Sequence, residues 1–259
     1  MTPAPAAVQT DGSLGKRLIV SADEFGGSPE VNRRVLAAHR DGILTSASLA
    51  VTGAAAAEAA TLAQEHATLD VGLHVALTGG APALPAFEVS SLVDGQGRLA
   101  AQPSGLAGAR PQEILDEMRA QHRRFRQLVG RPPTHLDVKG DAHLQRPVFE
   151  ALLTLAWEIG VPVRGVTPAM RLRLRSEDLR TIDHFLEQPA EGGVAALWRL
   201  LDGIEDGVSE LRCAPCRVAQ GAAQAANAPS EPDWGVLSDA QVRAAIGSLG
   251  IQLIDFGQL

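Results

Sequence analysis

Short apolar runs alternate with helical stretches along almost the whole chain, and that alternation is the strongest constraint on its fold. Expected strands are 18–22, 43–51, 70–77, 134–138, 161–166, 208–214 and 251–256. Between them, 28–41, 54–65, 111–129, 147–159, 193–201 and 238–248 read as helices. Ser28 is a good N-cap, with Pro29 and Glu30 suited to a first turn. The 111–129 helix places Ile114, Leu115, Met118, Phe125 and Leu128 on one side. Strand–helix alternation implies a parallel sheet. Seven or eight βα units within 259 residues favour one α/β domain built as a distorted, TIM-like (β/α) barrel. No Gly-rich dinucleotide fingerprint and no P-loop is present. Residues 1–15 read as a disordered tail and 16–259 as the single domain. The stretch 171–183 is basic and polar and has no clear period, and 220–232 reads as an exposed low-complexity loop.

Composition narrows the function classes. Aromatic residues are 3% with no Tyr, which argues against an aromatic stacking platform. Net charge is −7 without a long basic run, so nucleic acid is not an expected partner. No apolar stretch is long enough to span a bilayer, so no membrane partner is expected. Residues 1–14 lack a basic start and an apolar segment, and only two cysteines are present, which together suggest a reducing cytoplasm. The expected partner is a small-molecule substrate; a homodimer is left open.

Residues capable of chemistry fall at the C-terminal ends of the expected strands. Asp23 and Glu24 end the first, before a Phe25-Gly26-Gly27 turn. His74 lies on the third. Lys139, Asp141 and His143 follow the fourth, and Cys213 and Cys216 the sixth. In a barrel those ends face one mouth. Asp23, Glu24, His74, Lys139, Asp141 and His143 are therefore candidate catalytic residues. The loop 78–110, rich in Gly, Pro and Ala, is a candidate rim or lid. Plainer readings stand beside these: acids solubilise turns, Lys139 can swing into solvent, and Asp141 and His143 can be ordinary loop polar groups. His135 reads as a hydrogen-bonded core histidine rather than a ligand. The CxxC spacing of Cys213 and Cys216 has no thioredoxin-like context, and Cys213 reads as a core strand residue.

Five motifs, in order, resemble the YdjC/ChbG/HpnK family of carbohydrate deacetylases. They are Ala22-Asp23-Glu24-Phe25-Gly26, Gly42-Ile43-Leu44-Thr45-Ser46, Gly72-Leu73-His74, Thr134-His135-Leu136-Asp137 with the run to His143, and Glu210-Leu211-Arg212-Cys213-Ala214-Pro215. The resemblance runs from about Arg17 to Leu259 and implies a distorted barrel with a divalent-metal site. Asp23 matches the family's catalytic base and His74 a metal ligand. Glu24 stands where the family has a metal-binding Asp, Lys139 where it has a ligand His, and Ala214 where it has a His that serves as catalytic acid.

A metal needs lone pairs, and a protonated Lys139 offers none. An ammonium can take the metal's place, with a Glu24–Lys139 ion pair replacing Asp–metal–His. No cofactor is then expected, and Asp23 and His74 remain as base and acid. The leading expectation is metal-independent acid/base chemistry on a small hydroxylated, carbonyl or sugar-like metabolite: elimination, cyclisation or isomerisation, for example in secondary metabolism. Two alternatives stay open. One is a metal-dependent carbohydrate N-deacetylase with one zinc or magnesium ion on Glu24, His74 and Asp141. The other is a non-catalytic binding pseudoenzyme.

Overall fold

The computed structural model describes residues 15–213 and 234–259. Its centre is one curled parallel sheet, a half-barrel. The strands are β1 (Lys16–Phe25), β2 (Ser46–Leu49), β3 (Asp70–Val75), β4 (Leu136–Val138), β5 (His184–Glu187), β6 (Gly207–Cys213) and β7 (Ile251–Leu253). Their order is β4-β3-β2-β1-β6-β5, and β7 pairs with the first residues of β1. Every pairing between these strands is parallel. Beyond β4, Val163 makes a single parallel bridge to Leu136, which carries the curl onward. This is the expected distorted (β/α) barrel.

The helices are α1 (Pro29–Asp41), α2 (Ala56–Glu65), α3 (Pro111–Val129), α4 (Arg146–Ile159), α5 (Pro168–Ser176), α6 (Gly193–Asp202) and α7 (Ala240–Ser248). Ser28 caps α1 by accepting from the Val31 N–H. Asp239, rather than the expected Ser238, caps α7 through the Gln241 N–H. None of these helices is long and apolar enough to cross a membrane. A parallel sheet covered on both faces buries whole strands. All six residues of β3 are buried, although Asp70 and His74 are among them.

Three expectations change. The strand expected at 161–166 contracts to the bridge at Val163, because Pro162 and Gly165 interrupt it. The unplaced 171–183 stretch begins in α5, which ends at Ser176, and β5 follows it unforeseen. That strand is only half-buried, so it lacks the apolar run that marked the others. The 78–110 loop is a wall pinned to α3. Buried Glu117 accepts from the Ala83 and Leu84 N–H groups at 2.7 and 3.0 Å, and Glu113 accepts from Ser91 N–H at 2.8 Å.

Candidate active site

The site begins with an irregularity in β1. Its pairing with β2 slips between Ala22 and Phe25, a bulge that covers Asp23 and Glu24. Consecutive side chains on a regular strand point to opposite faces. Here Glu24 takes a left-handed backbone, φ 61°, which is strained for a residue other than glycine and lets both acids face the mouth. The turn after it needs glycine twice over. Gly26 has φ 88°, and a Cβ there would lie 2.8 Å from Leu49. Asn32 of α1 fixes the turn by accepting from the Gly26 N–H at 2.8 Å.

His74 and Asp137 are partners in the β3–β4 register, so their side chains emerge side by side. His74 Nδ1 lies 2.9 Å from Asp137 Oδ2, which leaves Nε2 turned toward Glu24 Oε1 at 3.7 Å. Lys139 leaves the end of β4 and places Nζ 2.9 Å from Glu24 Oε1 and 3.1 Å from Oε2. The Glu24–Lys139 ion pair expected from the sequence is thus formed. Asp23, Glu24, His74 and Lys139 converge, as their strand-end positions implied.

Beneath them lies a buried network that the sequence reading did not single out. Arg164, 3% exposed, donates from Nη1 to Asp23 Oδ1 at 2.7 Å and also to Asp137 Oδ2. Its Nε reaches Glu210 Oε1 at 2.8 Å, and its Nη2 reaches Ser21 Oγ at 3.0 Å. A guanidinium suits this place because its planar fork serves several acceptors at once. The signal was present: Asp137, Arg164 and Glu210 are charges of opposite sign set in short apolar runs, and buried charges require partners.

Electrostatics follow from that crowding. Burial opposes charge on His74, but Asp137, Glu24 and Asp23 outweigh it and raise the imidazole pKa to about 10. Burial also works against a charged Glu24, yet the His74 and Lys139 cations lower its pKa to about 2. Desolvation pushes the Cys213 thiol far up, as suits a core strand residue. Ala214, Pro215 and Cys216 lie outside the described residues.

Two candidates, Asp141 and His143, lie on the short turn that follows β4. Asp141 is exposed on the short turn Gly140–Leu144. His143 is buried beside it, with Nδ1 3.1 Å from the Gly140 carbonyl, and burial lowers its pKa. The alternative ligand set Glu24, His74 and Asp141 therefore does not assemble. Among the described residues, Asp23, His74 and Asp137 do bring donor atoms within 4.8 Å of one another. Arg164 occupies that cluster, however, bonding both carboxylates, while His74 Nδ1 is committed to Asp137. In the outer cluster an ammonium sits on Glu24. A divalent ion wants unprotonated donors and no adjacent cation, so neither set fits one as it stands. His135 is a core residue: Nε2 lies 3.0 Å from Ser48 Oγ, and the ring stacks on Phe256 at 3.9 Å.

Comparison with known proteins gives a consistent picture. Residues 17–248 match the family described as YdjC-like protein. A carbohydrate deacetylase of Geobacillus stearothermophilus is 35% identical over 92% of this chain and 96% of its own length. One from Brevibacillus brevis is 43% identical, over 57% of this chain and 58% of its own length. An Enterococcus faecalis crystal structure superposes with a TM-score of 0.83 at 28% identity, covering 94% of this chain and 98% of that one. The family 4 acetyl xylan esterase of Clostridium thermocellum, TM-score 0.51 at 11% identity over 94% and 89% of the two chains, shares the fold alone. The two relatives named as carbohydrate deacetylases are in line with the deacetylase alternative, and none of these matches supports elimination, cyclisation or isomerisation.

Proposed function

Because the chain belongs to the YdjC-like protein family, we propose that it is a carbohydrate deacetylase, a hydrolase that removes acetyl groups from acetylated sugars. The observation that carries this reading is the convergence of a carboxylate, an imidazole and an ammonium from β1, β3 and β4 on one mouth.

Hydrolysis of an acetamide needs a base for water, positive charge facing the oxyanion and an acid for the leaving nitrogen. Asp23 is the base. Arg164 holds its Oδ1, and Oδ2, 4.0 Å from Arg212, takes the water proton. Water oxygen bonds to the acetyl carbon as the carbonyl electrons move onto oxygen. Lys139 faces that oxyanion: Glu24 engages two of its three N–H groups at most, which leaves one for the acyl oxygen. His74, cationic at neutral pH, gives its Nε2 proton to the nitrogen as the C–N bond breaks. The oxyanion collapses to acetic acid; that acid and Asp23 give up their protons while His74 and the freed amine take them up, so acetate and the amino sugar leave and both side chains are reset.

The test is acetate release from N-acetylated mono- and oligosaccharides. The wild type should release acetate, and Asp23→Asn should abolish release without loss of folding. A wild type inert toward the whole panel, yet binding its members, would favour the pseudoenzyme reading instead.

A further inference from the structure

We infer that Lys139 is a built-in substitute for a divalent ion, and that Lys139→His alone turns this mouth into a metal site. The inference stands on the donor geometry and needs no substrate.

Three distances carry it. His74 Nε2 and Glu24 Oε1 are 3.7 Å apart, too far for a hydrogen bond. That spacing is close to the roughly 3.4 Å expected between two ligands set about 2.1 Å from a tetrahedral ion. Lys139 Nζ stands 2.9 Å from that same Glu24 oxygen and 3.1 Å from its twin. Two side chains thus keep ligand spacing: His74, whose Nε2 proton an ion would displace on binding, and Glu24, on which the Lys139 ammonium rests.

Side-chain length makes the third position interchangeable. A lysine ammonium lies about two ångström farther from its Cα than a histidine Nε2 does, roughly one zinc–nitrogen bond. A histidine at position 139 would therefore place an ion about where the ammonium now stands. With Glu24 and His74 it completes three protein ligands and an open position, the number a catalytic zinc site uses. In the native chain the ammonium neutralises Glu24 and repels any second cation.

The surrounding structure keeps the donors in place whichever cation is present. Asp137 fixes the His74 ring through Nδ1, the support a ligating histidine needs. The left-handed backbone at Glu24 aims its carboxylate, and the Asn32 clamp on Gly26 holds the turn.

The test uses wild type, Lys139→His and Lys139→Met, each stripped with chelator and reloaded with zinc or cobalt(II). Metal per chain, thermal shift and the visible cobalt spectrum are read, with no activity assay. Wild type should hold essentially no ion and show no thermal shift. Lys139→His should hold about one ion per chain, melt higher with zinc, and give the visible bands of tetrahedral cobalt. Lys139→Met, which loses the charge but adds no donor, should stay empty. Stoichiometric metal in the wild type would overturn the inference, as would a folded Lys139→His that takes up none. Neither result bears on whether acetylated sugars are hydrolysed, so this inference and the proposed function fail separately.

Discussion

Asp137 grips His74: its Oδ2 lies 2.9 Å from Nδ1 and accepts from Arg164 as well. One buried oxygen therefore ties the mouth to the network beneath it. Through that oxygen the imidazole is oriented, kept cationic and coupled to the guanidinium that also holds Asp23.

A pH signature follows. His74 is raised from 6.5 to about 10, so its cation contributes stability that is complete below about pH 6.5 and lost as pH rises through about 10. Urea midpoints of the wild type should fall across that alkaline window. Asp137→Asn should be less stable throughout and should flatten the slope, since the partner that raises the pKa is gone. Matching slopes in the two proteins would mean that Asp137 does not hold the charge.

Glu24 gives the opposite sign. Its pKa is lowered from 4.5 to about 2, so its contribution is present above about pH 4.5 and lost as pH falls through about 2. Lys139→Met removes one of the two cations responsible and should move that acid transition upward. An unmoved transition would show that Lys139 points away from Glu24 in solution.

Arg164→Met should leave Asp23, Asp137 and Glu210 crowded together without their shared cation. Breaking a buried charge network in this way costs about 3–5 kcal/mol, readable by urea denaturation. Arg164→Lys should rescue little, because one ammonium cannot span Asp23, Asp137, Glu210 and Ser21. Full rescue by lysine would reduce the role of the guanidinium to charge alone.

The layout of the mouth was legible in the sequence, and its support was not. Strand ends located Asp23, Glu24, His74 and Lys139, because a residue that closes an apolar run before a glycine turn has only one end of the barrel to occupy. Arg164 was hidden because its segment makes only one bridge, so no strand period marked which way it faced. Asp137 was read within a motif without a partner, since the register that sets it beside His74 is a tertiary fact. Asp141 was promoted by its neighbours in sequence, but the turn at Gly140–Leu144 carries it into solvent.

Gly72 tests the packing behind the site. A Cβ there would lie 2.4 Å from the ring of His135, which Ser48 and Phe256 hold in place. Gly72→Ala should lower stability by roughly 1–3 kcal/mol in a melting or urea experiment. An unaffected protein would mean that the His135 ring can move aside.

The central claim is that this mouth deacetylates sugars with an ammonium in place of a metal. The direct measurement is acetate release from an N-acetylated chitooligosaccharide by chelator-stripped protein, with wild type and Lys139→Met side by side. The account predicts that the stripped wild type keeps its rate and gains nothing from added zinc. Lys139→Met, which loses a fixed charge facing the oxyanion, should fall by about 10²-fold or more. A rate that vanishes on chelation and returns with zinc, or a Lys139→Met as fast as the wild type, would contradict it.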